Sequence, residues 1–414
     1  MMMESLFKEE VKVDNNLSKI KLNEEQSIAL EKLKEWYYSY RFSRPFEITG
    51  AAGTGKTTLI KYLIQETGLD INNVLFLAYV GKASLAMART GLRAQTIHSA
   101  IYDITRVPRK DKNKTYIRED GKIVYDIKFC KKEYLPKEIK LIVIDEASMV
   151  PENIGKEIES FGIPTIRIGD LNQLPPVFGN SYFLKNPDVR LKKIMRQAEE
   201  SPIPYFARDI LDGKNVLKES IIQDKIFIFD RHKVTTKFLN TLFKDNDIII
   251  CGTNKSRDKL NNYIRKNVFN KTSDEIEVGD KLICRRNDWS RCIDTNYFLI
   301  NGMVGYVDEI IYEKFSKNYI MIDFKPDFLE NYLFTNVLLD RKYFHLPYDK
   351  KLNYFSDYNL FELGYAITCH LAQGSQYNNV CVVLDDYILH NKEYRKQWLY
   401  TAVTRAIDRL TILL

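Results

Sequence analysis

The sequence predicts an α/β fold with two parallel-sheet domains, each carrying a small β insertion. Three observations support this prediction. Short apolar segments alternate with helical patterns in two regions of the 414-residue chain, and a glycine-rich turn follows the first of these segments. Two stretches interrupt the alternation, a basic one at 106–140 and a series of short alternating strands at 277–360. Apolar strands between helices are typical of a parallel sheet that is covered on both faces.

Residues 1–182 form the first predicted domain. Asn23 opens a helix over 23–40, because its side chain is suited to cap the first turn. A strand at 45–49 runs into the glycine-rich turn, and a second helix covers 56–65. The remaining elements of this domain are strands at 74–78, 141–144 and 165–168 and a helix at 84–89.

The 106–140 insertion carries most of the net charge of the chain. It holds 12 Lys and Arg against 6 Asp and Glu, so +6 of the overall +7 lies in this stretch. Its centre has alternating strands around Asp120-Gly121, which is a hairpin turn signal. We therefore predict a basic β-hairpin.

The second predicted domain comprises residues 183–276 and 361–414. Its elements are strands at 248–251, 380–384 and 410–414 and helices at 256–267 and 394–405. Between its two parts, strands at 280–285, 305–311 and 319–323 are spaced as in a small β-barrel, which we predict at 277–360.

The composition of the chain limits the kinds of function that it can have. Lys and Arg total 62 against 55 Asp and Glu, a modest excess that hints at an anionic partner. The six cysteines form no C-x-x-C pair, so the pattern suggests neither a zinc module nor a disulfide framework. Without an apolar leader or a span of about 20 apolar residues, we expect no membrane segment and a cytoplasmic protein, in the host cytoplasm if phage-encoded.

The turn at Gly50–Thr57 matches G-x-x-x-x-G-K-[ST] between a strand and a helix. Such a loop turns backbone amides toward phosphates at a helix N-terminus. Lys56 is then placed to reach the β- and γ-phosphates, and Thr57 to bind Mg²⁺.

Polar residues follow two further apolar strands. Asp145 and Glu146 come directly after one, where one carboxylate can hold Mg²⁺ and the other can polarise water. Gln173 follows the strand at 165–168 and is placed to orient water, although a solvated, proline-terminated loop explains it equally well.

Eight segments together resemble the ordered motif series of superfamily 1 helicases of the RecD/Dda type, over residues 22–406. They are Leu22–Gln26, GAAGTGKTT from Gly50, Thr96–Ser99, VIDEAS from Val143, GDLNQLPP from Gly169, Met195–Gln197, Tyr365–Ser375 and Tyr400–Ala406. The resemblance implies two RecA-like domains with an ATP site between them.

The resemblance also implies a role for each residue of the ATP site, with ATP and Mg²⁺ as cofactors. Gln26 would read the adenine edge, and Glu146 would be the catalytic base. The metal ligands would be Thr57 and Asp145, and Gln173 would couple the γ-phosphate to the DNA surface. Arg196 and Arg405 look like arginine fingers of the second domain. The nucleotide-binding residues would be Gln26, Gly53, Thr54, Gly55, Lys56, Thr57 and Thr58.

A 5′-to-3′ motor on single-stranded DNA is the implied activity, with roles in DNA replication, repair or recombination. Thr96 and His98 would contact the strand from the first domain, and Thr368 and His370 from the second. The basic hairpin would separate the duplex or fork. Its aromatic residues Tyr116, Tyr125 and Phe129 would either stack on a base or pack across strands. A single-strand-binding protein is a candidate partner, and one chain suffices as a monomer.

Two positions depart from the helicase pattern. Tyr79-Val80 stands where relatives show Pro-Thr, and Leu371 stands where many show Lys. Both positions lie where the DNA strand is expected to bind. The motifs do not separate an unwinding enzyme from a translocase that remodels protein–DNA complexes or from an RNA helicase. A non-motor nucleotide switch is a further alternative, which the arginines of the second domain argue against.

Overall fold

The computed structural model describes most of the chain. The described residues are 22–79, 87, 92, 94–108, 116, 118–119, 122–123, 125–175, 181–193, 201–293, 297–311, 317–327, 332–351, 354, 356–390 and 392–414. The predicted helix at 84–89 and the Met195–Gln197 segment, which includes Arg196, lie outside these residues, Met87 excepted.

The first domain is a six-stranded sheet with helices on its faces. Its strands, together with those of the hairpin, are β1 (Phe46–Gly50), β2 (Val74–Ala78), β3 (Ala94–Thr96), β4 (Tyr102–Pro108), β5 (Arg118–Glu119), β6 (Lys122–Ile123), β7 (Tyr125–Lys131), β8 (Leu141–Asp145), β9 (Thr165–Gly169) and β10 (Val189–Leu191). Its helices are α1 (Glu24–Ser39), α2 (Lys56–Thr67), α3 (Ile97–Ile101) and α4 (Glu152–Glu159), with 3₁₀ turns at Ile71–Asn73 and Ala147–Met149. The order is β10-β1-β9-β8-β2-β3, and every pairing is parallel.

The predicted boundary at residue 182 is too early. β10 pairs with β1 in parallel through Ile48 and Val189, so the first domain extends at least to Leu191. A three-residue strand with an exposed central Arg190 has too little apolar pattern to be recognised from sequence.

The inserted hairpin is longer at its base than predicted. β4 and β7 pair antiparallel from Tyr102 with Lys131 to Pro108 with Tyr125. At the tip, β5 and β6 pair across the predicted Asp120-Gly121 turn. The ladder therefore begins before residue 106 and ends at Lys131, so the remaining residues to 140 form no part of it.

The second domain begins with β11 (Ser220–Ile222), β12 (Ile226–Phe229) and β13 (Ile248–Cys251). Its first helices are α5 (Pro202–Leu211), α6 (Thr236–Lys244) and α7 (Asn254–Tyr263), and a π-helical turn follows at Ile264–Val268.

The insertion of the second domain is a five-stranded antiparallel sheet in the order β19-β18-β17-β14-β20. The elements of this region are β14 (Lys281–Cys284), β15 (Asp288–Ile293), β16 (Tyr297–Leu299), β17 (Val304–Ile311), β18 (Tyr319–Pro326), β19 (Phe334–Asp340), α8 (Arg341–His345), α9 (Tyr348–Lys351) and β20 (Phe361–Leu363). An isolated bridge joins Leu339 of β19 to Asn359, two residues before β20. The predicted barrel stays a prediction. Because β20 pairs with β14, the sheet extends past the predicted limit of residue 360.

The chain then returns to the second domain through β21 (Ala366–Thr368), α10 (Cys369–Ala372), β22 (Tyr377–Val383), α11 (Asp386–His390), α12 (Lys392–Val403) and β23 (Ala406–Leu413). The completed sheet has the order β11-β12-β23-β22-β13-β21 and is parallel except at β11. The predicted two-sheet α/β architecture is thus confirmed. No helix in the described ranges is long and apolar enough to cross a bilayer.

Candidate functional site

The phosphate-loop motif lies at the carboxyl end of β1 and leads directly into α2. Gly53 and Gly55 have φ angles of 79° and 80°, which residues with a Cβ rarely adopt. At Gly50, an added Cβ would lie 2.9 Å from the carbonyl oxygen of Leu191. Lys56 Nζ lies 2.7 Å and 3.0 Å from the carbonyl oxygens of Gly50 and Ala51. The loop, its lysine and the helix N-terminus therefore form an anion site of the phosphate-binding kind.

Gln26 lies beneath this loop. Its side chain is fully buried, and Nε2 donates to the carbonyl oxygen of Thr54 at 3.0 Å. Its Oε1 accepts from the backbone of Asn23, which completes the capping box of α1. Gln26 thus connects the first helix to the phosphate loop, while its predicted contact with adenine stays a prediction.

The two predicted carboxylates lie at the end of β8, in the same sheet. Glu146 has a φ angle of 49°, in the left-handed region, and its N–H donates to Asp145 Oδ1 at 2.8 Å. Burial raises the pKa of both carboxyl groups, while the positive charge of Lys56 lowers both. A buried carboxyl with a raised pKa is suited to take a proton from water.

Arg405 of the second domain faces these carboxylates. It follows α12 and is almost fully buried, and among the charges around Glu146 it contributes the largest lowering of the Glu146 pKa. Its guanidinium donates to the carbonyl oxygens of Thr401 and Ser375 and to Thr404 Oγ1 at 3.1–3.2 Å. The second domain therefore holds the arginine rigidly against a cleft that the first domain completes.

Within the described residues, the buried polar atoms that lack a hydrogen-bond partner include Ser148 Oγ and Gln173 Oε1 on the first domain and Gln373 Oε1 and Ser375 Oγ on the second. An unsatisfied buried polar atom costs about 1–3 kcal/mol, so each of these groups needs an explanation, of which a bound ligand is one. Of the four residues, the sequence motifs predicted a role for Gln173 alone.

Tyr400 is a further residue of the cleft. It lies in one of the helicase-like motifs, but the sequence predicted no role for it. Its hydroxyl donates to Asp170 Oδ2 and lies within reach of the Ala52 N–H of the phosphate loop. Asp170 directly follows β9, so this bond crosses between the domains. The position of both residues within helicase-like motifs is the only sequence signal that marks them.

The predicted DNA-contacting residues occupy equivalent places in the two sheets. Thr96 and Thr368 end the edge strands β3 and β21, and each is the N-cap of the short helix that follows. His98 and His370 are the second residues of these helices and are partly buried, which lowers the pKa of both imidazoles. Both threonines are largely buried, and Thr96 Oγ1 accepts from the Ser99 backbone at 3.2 Å. The side chains of the two histidines are therefore more exposed than those of the two threonines.

Aromatic rings connect His98 to the base of the hairpin. The centroid of its imidazole lies 5.9 Å from the ring centroid of Tyr79, 5.7 Å from that of Tyr102 and 6.1 Å from that of Phe129. Phe129 is 48% exposed and Tyr116 is 46% exposed, while the side chain of Tyr125 lies outside the described set. Tyr79 thus packs on the histidine, and Leu371 packs against the core of the second domain. Val80, the other residue of the first departure, lies outside the described residues.

The fold defines the class: two RecA-like α/β domains, the first of which carries a P-loop between β1 and α2. The family described as AAA domain matches residues 38–179, and the UvrD-like helicase C-terminal domain matches residues 363–413. By these matches and its relatives, the chain is similar to the superfamily 1 helicases of the Pif1, RecD and Dda type.

Two relatives and one solved structure illustrate the similarity. The ATP-dependent DNA helicase Pif1 of Campylobacter jejuni is 25% identical over 88% of this chain and 87% of its own length. The ATP-dependent RecD2 DNA helicase of Deinococcus radiodurans is 24% identical over 94% of this chain. Pif1 from Bacteroides, solved with ADP-AlF3 and ssDNA, aligns with a TM-score of 0.51 and 18% identity, over 95% of this chain and 92% of that one. The chain spans 48% of RecD2 and 38% of an uncharacterized Methanocaldococcus jannaschii relative.

Proposed function

We propose that this chain is an ATP-dependent DNA helicase that moves 5′ to 3′ on single-stranded DNA and unwinds duplex ahead of it. One observation carries the proposal: residues of the second domain meet the first beside its carboxylates, since Tyr400 donates to Asp170 and the positive charge of Arg405 lowers the pKa of Glu146. ATP therefore contacts both domains, and its binding and hydrolysis change how they sit together. The relatives named as ATP-dependent DNA helicases support DNA as the substrate.

Each residue of the site has a distinct task in hydrolysis. The loop amides and Lys56 hold the phosphates, and Glu146 accepts a proton from the attacking water. Gln173 orients that water, and its unpartnered Oε1 supports this role. Arg405, with Arg196 as the second predicted finger, neutralises charge in the transition state. Such fingers are worth about 10³–10⁵ in rate.

Thr57 and Asp145 offer the donor set that Mg²⁺ prefers. Both present oxygen atoms, and Asp145 is buried beside Lys56 at the phosphate loop. Mg²⁺ is usually bound by few protein ligands together with substrate phosphates. When bound, Mg²⁺ neutralises the phosphate charge, while Thr57 and Asp145 orient it.

The two histidines, one in each domain, are the proposed contacts to DNA. His98 and His370 lie at matching edges of the two sheets, so a single strand that crosses both domains contacts each in turn. The two conformational states differ in their affinity for the strand. Alternation between these states moves the domains along the strand. The basic hairpin is the proposed element that separates the duplex, and the exposure of Phe129 at its base supports this role.

The deciding experiment compares unwinding of 5′-tailed and 3′-tailed duplexes with ATP. We expect preference for the 5′ tail, and preference for the 3′ tail would overturn the polarity. Lys56→Ala should abolish unwinding and ATP hydrolysis, whereas Lys61→Ala, on the same helix, serves as the matched control. A Lys56→Ala protein that keeps full biological activity would favour the nucleotide switch.

A second experiment tests the hairpin as the separating element. Because Pro108 and Tyr125 are paired, removing residues 112–124 leaves residues 109–111 as a loop of ordinary hairpin length. The deletion should abolish duplex separation and spare DNA-stimulated ATP hydrolysis. Unwinding that survives it would contradict the hairpin's role. Failure of the intact chain to separate strands, with protein displacement from DNA retained, would favour the translocase; stimulation by RNA rather than DNA would favour the RNA helicase.

The enzyme is proposed to act as a monomer in the cytoplasm. The ATP site is built within one chain, which supports a monomer as sufficient. The six cysteines are free thiols, in keeping with the reducing cytoplasm that we propose. A single-strand-binding protein is the proposed partner, since it would occupy the strand that unwinding releases; co-sedimentation on tailed duplex tests it.

A further inference from the structure

The carboxyl end of α1 and the turn that follows it carry exposed aromatic side chains. Tyr38 is 62% exposed, Tyr40 is 45% exposed and Phe42 is 77% exposed. A single exposed ring is common on a protein surface, but three within five residues form a patch, and such patches mark binding sites. The α1 patch comprises these three residues together with Tyr37, Arg41 and Arg44.

The turn of the α1 patch is anchored to the first domain. Trp36, which is 1% exposed, donates from Nε1 to the carbonyl oxygen of Arg44 at 2.7 Å. Arg44 Nη1 lies 2.6 Å from Asp188 Oδ1, and the other oxygen of that carboxylate accepts from the Glu47 backbone at 2.8 Å. The rings are therefore presented by a backbone held at both sides, so little conformational entropy is lost when a ligand binds them.

Arginine side chains lie between the rings of the patch. The guanidinium carbon of Arg41 is 4.8 Å from the ring centroids of both Tyr37 and Phe42. The guanidinium carbon of Arg44 is 5.8 Å from the ring centroid of Tyr40. Arg41 donates to the carbonyl oxygen of Tyr37, and no ion pair involves it in the described part of the chain. Its positive charge is therefore not neutralised by a neighbouring carboxylate.

The α1 patch lies at the opposite end of the first domain from the phosphate loop. α1 begins beside this loop, where Gln26 donates to Thr54, and its 16 residues span about 24 Å. β1 starts at Phe46, just after the patch, and ends at the loop. His98 also follows the carboxyl end of a strand, β3, of the same parallel sheet. The patch is thus separate from both the phosphate loop and the proposed strand contact at His98.

We propose that the α1 patch is a second binding site for single-stranded DNA. Every base has a face that stacks on an aromatic ring, and arginine adds both stacking and attraction to phosphate. One base stacks on Phe42 and another on Tyr38, while Arg41 contacts a phosphate beside them. The unneutralised charge of Arg41 favours a polyanion over an apolar protein surface.

This inference rests on the proposed function for the identity of its ligand. It adds a site that holds single-stranded DNA outside the path past His98 and His370. A strand that leaves that path, or one that has yet to enter it, can occupy the α1 patch at the same time.

The test compares the affinities of two fluorescent oligothymidines, one of about 8 nucleotides and one of about 40. The short one occupies the path past the histidines, whereas the long one also reaches the α1 patch. Phe42→Ala should weaken binding of the long oligonucleotide by about 5-fold or more, the effect of losing one stacked base. The affinity for the short oligonucleotide should not change. Because Phe42 is 77% exposed, its replacement leaves the core intact.

Three further measurements make the test specific. Phe238→Ala removes a ring that is 41% exposed on α6 of the second domain, and it should leave both affinities unchanged. Arg41→Gln should reduce the slope of log affinity against log salt by about 0.7 for the long oligonucleotide alone. Ultraviolet cross-linking of a long oligonucleotide that contains bromodeoxyuridine should label a peptide with Tyr38 or Phe42, identified by mass spectrometry.

The outcomes separate this inference from the proposed function. An unaltered chain that binds neither oligonucleotide refutes the proposed function. If the unaltered chain binds both, and Phe42→Ala and Arg41→Gln bind the long one as well as it does, the second site alone is overturned. Cross-links confined to other peptides overturn it too. So does association of two chains that Phe42→Ala abolishes without loss of affinity for the long oligonucleotide, because the patch is then a protein contact.

Discussion

The hydroxyl of Tyr400 donates a 2.5 Å hydrogen bond to Oδ2 of Asp170 and so joins two domains across 230 positions of sequence. Both side chains are 1% exposed. The other carboxylate oxygen of Asp170 accepts from the backbone and the side chain of Asn172. Burial, and then the charge of Asp170, raise the pKa of Tyr400 far above its usual value, so its hydroxyl remains a donor.

Removing this bond should weaken the contact between the domains. Tyr400→Phe leaves a buried carboxylate oxygen without its donor, and a hydrogen bond to a charged group contributes about 1.5–3 kcal/mol. We expect a decrease of that size in the free energy of unfolding, measured in urea. Tyr394→Phe, on the same helix, is the control and should be destabilised less. Equal stability of Tyr400→Phe and the unaltered chain would show that the bond contributes nothing.

Replacing the proposed general base should separate binding from hydrolysis. Glu146→Gln keeps the shape of the side chain but cannot accept the proton of the attacking water. General-base catalysis contributes about 10²–10⁴ in rate, so kcat for ATP should fall by that factor while ATP still binds. Steady-state hydrolysis and binding of a fluorescent nucleotide measure the two effects. A variant with unchanged kcat would assign the base elsewhere.

The arginine of the second domain can be tested without removing its charge. Arg405→Lys retains a cation but loses the planar guanidinium that bonds Thr401, Thr404 and Ser375. We expect kcat to fall by about 10³ or more, with little change in the affinity for ATP. Arg409→Lys, at a partly exposed arginine on β23, is the matched control. A fall in affinity alone would place Arg405 in ground-state binding.

The two histidines should make the protein acid-sensitive. Burial lowers the pKa of His98 and His370 below the usual 6.5, and Glu157 partly opposes this at His98. Below about pH 6.5 the unfolded chain binds these protons first, so stability decreases as the pH falls toward the folded pKa values. His98→Gln/His370→Gln should therefore show a smaller decrease in unfolding free energy between about pH 7.5 and pH 5. Parallel pH curves for the two proteins would contradict this.

The same neutral histidines predict a particular salt dependence. A neutral imidazole releases no counterion, so His98→Gln should weaken binding of single-stranded DNA without changing its dependence on salt. Removal of residues 112–124 should instead reduce the slope of log affinity against log salt by about 0.7 for each phosphate that the hairpin neutralises in the unaltered chain. Titrations at several salt concentrations distinguish the two. A changed slope for His98→Gln would show that this histidine is charged when bound.

Much of the fold is encoded in short windows of sequence. Apolar runs predicted β2, β8 and β13 to within a residue, and Asn23 predicted the start of α1. The phosphate loop was likewise evident, because its glycines and lysine act within eight consecutive residues. The assignment of β10 to the first sheet was not evident, since a three-residue strand has no period to detect.

Local backbone preference and motif spacing were enough to predict the two α/β sheets, the P-loop and the candidate hydrolytic residues, because such patterns do not depend on the partner domain. The positions of Leu174 in the core of the opposite domain and of Tyr400 against Asp170 became evident in the folded chain alone. The bond from Leu174 to Thr401 joins residues 227 positions apart. Such contacts depend on how two separately folded cores pack together, which no local pattern along the chain specifies.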